Sequence, residues 1–345
     1  MSYNKQTSLA ANVEAIETAV KIHVQGRKAM AKEKETLSRY SGFGGIKEVL
    51  NIGTDNPLPD NMAEPMNRLQ KALRTLAGGE ETMYRKLTDS LKASVLTAFY
   101  TPQFLVDAVA RQIRAAFTEY GLPMPAALPD TRRYAFEKDC ISGLILSLLH
   151  DDTTTVIDGF ETIGGQDFGH TTFDVIASNI PFGDFRVFDA DLWKKGGIYE
   201  RSTKTIHTYF FVKAMEQLAE GGLLAFVTSR GVADTPGNKF VREYLVGHAD
   251  LISAIRLPDA LFLPTSGIEV GSDLLVFQKH TGKAALSLRE KMFLQSVREK
   301  ADATGIVTEP ANRLFSLPKT SLATDSRIVV NRYGKQVRKY QWLGD

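Results

Sequence analysis

The sequence predicts an α/β protein in which a helical N-terminal region precedes a mostly parallel sheet wrapped by helices. Three observations predict it. Apolar residues recur at helical spacing from residue 8 to about 97. From residue 99 onward, short apolar runs of strand length alternate with helical patterns. One of those runs, in FDVIASNIPFG (173–183), stops abruptly at an Asn-Ile-Pro-Phe-Gly turn. Ligands of open α/β sheets bind at such strand ends.

The elements follow in chain order. Ala15, Ile16, Ala19, Val20 and Ile22 mark one helical face, and Leu69, Ala72, Leu73 and Leu76 mark another that stops at Gly78-Gly79. Between them, YSGFGGIKEVLN (40–51) has the glycines of a cofactor-cradling loop. A helical segment rather than a strand precedes it, so it reads as a turn packed on the core. AFYTP (98–102) opens a helix with Phe104, Leu105, Ala108, Val109 and Ile113 as its apolar positions. RRYAFEKD (132–139) is a predicted strand, ISGLILSLLH (141–150) a helix and TTVIDGFE (154–161) a strand. After FDVIASNIPFG come the helix IHTYFFVKAMEQLAEGG (206–222), with a glycine stop, and the buried strand LLAFVTSRG (223–231). NKFVREYLVGH (238–248) is helical, and ADLISAIRLP (249–258) and SDLLVFQK (272–279) are strands, the last pair suited to an antiparallel edge. The expected division is a helical region over 1–97, an α/β domain over 98–280, and a linker with a basic extension over 281–345.

Bulk composition removes several function classes. The chain has 345 residues, 43% hydrophobic and 24% charged, which is ordinary globular composition. Its net charge of +2 does not demand a polyanionic partner, so a nucleic-acid surface must be local. Cys140 is the single cysteine, which excludes an intramolecular disulfide and a Cys-based zinc cluster within one chain; no metal is expected. No apolar run is long enough to span a membrane, and the polar first residues lack a signal-peptide core, so a cytoplasmic location without membrane contact is expected. In the last stretch, Arg327, Arg332, Lys335, Arg338 and Lys339 stand among Tyr333, Tyr340 and Trp342. Basic residues interleaved with aromatics suit a nucleic-acid backbone and exposed bases. A solvated hairpin or linker is the plainer alternative.

The Asn179–Phe182 turn offers one amide oxygen, one backbone carbonyl beside a proline and one stacking face. Such a set suits a planar, amine-bearing group. A structural Asn-Pro turn after a buried strand is the alternative for the segment alone. Four motifs occur in a familiar order: FYTP (99–102), FEKD (136–139), SNIPFG (178–183) and HTYFFVKAMEQLAEGGLLAFVTSRG. With them, the stretch from about Tyr40 to Lys279 resembles the N6-adenine DNA methyltransferases, most closely the methylase region of bacterial mobile-element proteins related to type I restriction-modification methylase subunits.

The resemblance implies a Rossmann-like sheet and S-adenosylmethionine as methyl donor. It implies that the Asn179 amide oxygen and the Ile180 carbonyl accept the two amine hydrogens of a flipped-out adenine, that Pro181 fixes the turn, and that Phe182 stacks on the base. The family's usual motif has two prolines, and Ile180 replaces the first. By position, Glu137 is implied to bind the cofactor ribose, Tyr100, Thr101 and Pro102 to border its methionine end, and Asp158 and Phe160 to contact its adenine. Arg332, Lys335, Arg338 and Lys339 are the expected DNA contacts, while His207 is given no role.

One part of the family pattern is absent. Its first strand and glycine-rich loop belong between the helix after FYTP and the FEKD strand. Gly121 to Thr131 holds three prolines and one glycine there. A βα unit with its loop needs roughly 20 or more residues. The family's target-recognition region after the catalytic domain is also not evident beyond Lys279, so specificity is expected from a separate specificity or helicase region or subunit. Two readings stand beside DNA adenine methylation: a methylase-like module that binds DNA or a partner without catalysis, and a methyltransferase acting on RNA or a protein glutamine.

Overall fold

A computed structural model describes residues 4–343 apart from 55, 57, 98–100, 120–131, 169–171, 299, 302–305, 308, 309, 324, 331–333 and 335. The fold is α/β with a helical N-terminal region, as the sequence predicts. It divides into two compact units: residues 1–100, 125–165 and 263–268, and residues 101–124, 166–262 and 269–345. The α/β domain expected over 98–280 is thus shared between both units, and residues 281–345 belong to the second.

In chain order the helices are α1 (Lys5–Val24), α2 (Ala31–Leu37), α3 (Asp60–Leu76), α4 (Glu81–Thr97), α5 (Gln103–Glu119), α6 (Cys140–Leu149), α7 (Ala190–Lys195), α8 (Gly197–Ser202) and α9 (Ile206–Gln217). The strands are β1 (Arg133–Phe136), β2 (Thr153–Val156), β3 (Phe173–Asn179), β4 (Leu218–Ser229), β5 (Ala249–Arg256) and β6 (Ser272–Lys279). Later helices and strands are named by range.

The first unit is built on α1 to α4 and α6. Leu9, Val13, Ile16, Leu69, Leu73, Leu91 and Ile145 share its apolar core. The glycine-rich turn at 40–51 is pinned to that core. Phe43 and Ile46 are buried, and buried Asn12 donates to the Gly42 carbonyl at 2.6 Å and accepts from the Ser41 amide at 2.8 Å. Gly42 and Gly45 adopt φ of 73° and 79°, the left-handed region that favours glycine. The turn is therefore a structural plug, and Asn12→Ala is expected to cost about 1–3 kcal/mol, because its buried partners lose their hydrogen bonds. Chemical denaturation of the variant measures this.

In the same unit β1 and β2 run parallel, with Phe136 opposite Val156. Asp139 caps α6 by accepting from the Ser142 amide at 2.6 Å, and its other oxygen accepts from the Ser90 hydroxyl at 2.9 Å. The predicted strand 132–139 therefore ends at Phe136, because the Asp139 cap already begins the helix. The predicted strand 154–161 likewise stops at Val156. Asp158 turns back to accept from the Gly159 amide at 2.7 Å, and Phe160–Gly165 winds into a 3-10 helix.

The second unit holds a four-stranded sheet in the order β3-β4-β6-β5. Only β3 and β4 are parallel; β6 is antiparallel to both its neighbours. The expectation of a mostly parallel sheet is corrected to a mixed one. The helix predicted to run to a glycine stop at 222 ends at Gln217, and Leu218–Gly222 already belongs to β4. Leu218 stands opposite Phe173 and Leu223 opposite Val175, so the extra residues bulge out of the ladder. Gly221 supplies the φ of 77° this needs. At Gly222 a Cβ would lie 3.0 Å from the Asp174 carbonyl oxygen. The double glycine thus permits a bulge rather than a helix stop.

Phe211, Phe226, Phe277 and Phe293 are fully buried over this sheet, with ring centroids 5.2 to 6.2 Å apart in edge or tilted contacts. Each contributes about 1.5–3 kcal/mol of burial. The C-terminal hairpin of Asp325–Val330 and Gln336–Gln341 docks on the same unit. The Tyr340 hydroxyl accepts from Arg256 at 3.1 Å, and the Arg338 carbonyl accepts from Arg230 at 2.9 Å. Among the described residues no helix is long and apolar enough to cross a membrane.

Candidate active site

The Asn179 turn is built by β3 and by the strand beside it. Asn179 ends β3 opposite Val227 of β4. The next amide, Ile180 N–H, donates to the Val227 carbonyl at 2.9 Å, and the Ile180 side chain is completely buried. Isoleucine at this position supplies a backbone hydrogen bond that a proline could not make, together with a core anchor. The Ile180 carbonyl leads into Pro181 and the turn. Gly183 keeps the exit narrow: a Cβ there would lie 2.4 Å from the Phe185 ring.

The half-buried Phe182 ring is held from two sides. Phe262 meets it edge-on at 5.6 Å and 69°, and the His207 imidazole at 5.9 Å and 60°. His207 in turn shares a hydrogen bond between Nδ1 and the Thr228 hydroxyl at 2.9 Å. Two residues without a sequence-assigned role, His207 and Phe262, thus fix the plane of the expected stacking ring. A histidine in the first turn of the helix after the motif was the available signal for one of them. Phe262 offered none, because its contact joins distant parts of the chain.

Burial pushes the His207 imidazole down to about 4, against a modest opposing pull from the Asp184 carboxylate. It is neutral in the folded protein near neutral pH. Between its ordinary value of 6.5 and about 4, the unfolded chain binds a proton here that the folded chain does not. Stability therefore falls as pH drops through this window, by roughly 3 kcal/mol at full extent at about 1.36 kcal/mol per pH unit. His207→Gln is expected to flatten that slope, read from denaturant midpoints between about pH 4 and 7.

The residues implied for the cofactor fall in both units. Glu137, Asp158 and Phe160 follow the C-terminal ends of β1 and β2 in the first unit, where the parallel register brings them to one sheet end. The Phe136 and Phe160 rings touch edge-on at 6.1 Å. Half-buried Glu137 accepts from the Asp139 amide at 2.9 Å, and burial raises its carboxyl above the usual value against the opposing effect of that hydrogen bond. Its carboxylate oxygens, acceptors at a strand end, fit the hydroxyls of a ribose diol. Asp158 is exposed and turned onto Gly159. Thr101 and Pro102 are in the second unit, together with Asn179 to Phe182. Pro102 is buried, and its carbonyl accepts from Leu105 and Val106 to start α5. Tyr100 lies outside the described residues.

Of the expected DNA contacts, Arg332 and Lys335 lie outside the described residues. Arg338 donates to the Ser326 hydroxyl at 3.1 Å, and Lys339 is paired with Glu269.

Residues 144–308 match the family model described as N-6 DNA Methylase. The match covers SNIPFG, α9 and the whole four-stranded sheet. Within 151 residues, 44% of the chain, the sequence is 26% identical to the defense against restriction protein B of Escherichia phage P1, and it spans 6% of that protein's length. The chain is also similar to the type I restriction-modification methyltransferase subunit from Streptococcus thermophilus, at 10% identity and TM-score 0.41, covering 80% of this chain and 79% of that one. A nuclease-deletion mutant of the type ISP restriction-modification enzyme LlaGI, solved with a DNA substrate mimic, is similar at 9% identity and TM-score 0.45, over 95% of this chain and 39% of that one.

Proposed function

We propose that the chain methylates the N6 amine of adenine in DNA, using S-adenosylmethionine. The observation that carries this reading is the strand-end turn itself. Its backbone is tied to β4 at Ile180, and its aromatic ring is held by His207 and Phe262. A methylase family match over the same residues supports it.

The adenine amine is a weak nucleophile because its lone pair is delocalised into the ring. In this reading, the Asn179 amide oxygen and the Ile180 carbonyl each accept one amine hydrogen, which draws the nitrogen toward a tetrahedral geometry. Asn179 ends β3 and the Ile180 amide is tied to β4, so the backbone that carries both acceptors needs little reorganisation as charge develops. Phe182 stacks on the extruded base, worth about 1–3 kcal/mol. Its neighbours Phe262 and His207 keep the ring from rotating away. S-adenosylmethionine, when bound, supplies the methyl group. Alignment of amine and methyl group carries the catalysis, and no side-chain nucleophile is required.

Calorimetric titration with S-adenosylmethionine, followed by labelled-methyl transfer to unmethylated DNA, tests the proposal. Saturable binding and label in N6-methyladenine are expected. Well-folded protein that binds no cofactor overturns the enzyme reading. The short 121–131 segment, which has no room for the family's glycine loop, favours one second reading: a methylase-like module that binds DNA without catalysis. Partners in either reading are DNA and a separate specificity or helicase region or subunit.

A further inference from the structure

A cavity of about 260 Å³ opens at the start of α9, lined by Arg201, Lys204, Thr205, Thr208, Asn238 and Phe240 together with Gly237. It is smaller than the roughly 300–1,000 Å³ of pockets for drug-sized ligands. Its lining carries two cations, two hydroxyls and an amide, and no carboxylate among the described residues. Arg201 stands over the Phe240 ring, with its guanidinium carbon 3.9 Å from the centroid, and one nitrogen donates to the Gly237 carbonyl at 3.3 Å. That leaves most of the guanidinium fork directed elsewhere. Lys204 is exposed, and its ammonium makes no ion pair or hydrogen bond among the described residues. Elsewhere lysines are paired with acids, as Lys195 is with Glu216 and Lys239 with Glu243.

The position of the cavity gives this charge a purpose. The first turn of α9 presents His207 to the Phe182 ring, and Thr205 and Thr208 from the same turn line the cavity. Arg201 and Lys204 stand on the segment that leads directly into that turn. We infer that this cavity binds a phosphodiester group of the nucleic-acid strand that presents its base at Asn179. Arg201, pre-ordered by Phe240, supplies planar donors and Lys204 a point charge, the two complementary ways of holding a phosphate. Thr205 and Asn238 add neutral contacts. The site fixes register along the strand and carries no base preference. This inference rests on the proposed adenine site.

The test measures affinity against salt for an adenine-free single-stranded oligonucleotide, using the intact chain, Arg201→Ala, Lys204→Ala and the control Lys86→Ala. Lys86 is exposed on α4 in the other unit. Each pocket variant is expected to bind at least several-fold more weakly, and the log–log salt slope should shrink by about 1 for Lys204→Ala. The control should bind like the intact chain. Unchanged affinity in the pocket variants, an equal loss in the control, or no oligonucleotide binding by the intact chain overturns the inference. Methyl transfer to an adenine-containing oligonucleotide is read separately. Backbone binding that depends on Arg201 and Lys204 without transfer removes the enzymatic reading and keeps the phosphate site. Transfer with unaltered binding in both variants removes the site and keeps the enzyme. Both substitutions are at exposed positions, and unchanged circular dichroism confirms folding.

Discussion

If the proposed activity holds, Asn179→Ala is expected to lower methyl transfer by about 10²–10³-fold while S-adenosylmethionine binding stays intact, the loss seen when one preorganised polar partner of a developing charge is removed. The Asn179 amide is the side-chain acceptor at the proposed amine, and Ile180 offers only its backbone, which substitution cannot remove. The variant should fold, because Asn179 ends β3 through backbone pairing with β4 and the core anchor is the neighbouring Ile180. Single-turnover transfer to unmethylated DNA measures the drop, and calorimetry measures cofactor binding. Turnover within a few-fold of the unsubstituted chain would remove Asn179 from its role. Weakened cofactor binding would place the residue on the cofactor side instead.

Arg256→Ala destabilises the chain by about 3–5 kcal/mol, because it leaves buried carboxylates without their counter-charge. Arg256 is 1% exposed. It donates to both Asp273 oxygens at 2.9 and 3.0 Å and to Asp234 at 2.9 Å. Those carboxylates hold its guanidinium firmly protonated, against the opposing effect of burial. The Phe315 ring covers it at 4.0 Å, and the Tyr340 hydroxyl accepts from it at 3.1 Å. One side chain therefore joins β5, β6 and the C-terminal hairpin. The expected result is a large fall in denaturant midpoint. A second substitution, Asp273→Leu, is expected to recover part of the loss, since it deletes the charge left behind. A double variant less stable than Arg256→Ala would contradict the account.

The split between legible and hidden features follows the range of the interactions. SNIPFG was legible because a strand, an Asn and a Pro are all local signals: apolar β-formers, then a residue pair that cannot continue the ladder. The glycine-rich turn at 40–51 was legible as structural because a helical segment precedes it, and Asn12 is the partner that holds it. The LAEGG segment was misread because Gly-Gly after an amphipathic helix is the usual local stop. Its actual state is set by pairing with β3, a partner some distance back in the chain. The same holds for the end of β1, where a capping Asp looked like strand continuation.

The sequence by itself determined the order of elements, the methylase motif and the absence of room for a strand, loop and helix between Gly121 and Thr131. Each of these is a property of adjacent residues or of chain length. Only the tertiary structure decided the sheet. β1 and β2 form one two-stranded sheet, and β3, β4, β6 and β5 form another, with three of the four strands meeting antiparallel partners. Only the tertiary structure gave His207 and Phe262 their place against Phe182, and Arg201 and Lys204 their shared cavity. The physical reason is the same in each case. Strand pairing, ring contacts and the convergence of charges depend on which distant segments the core brings side by side, and local propensity does not encode that.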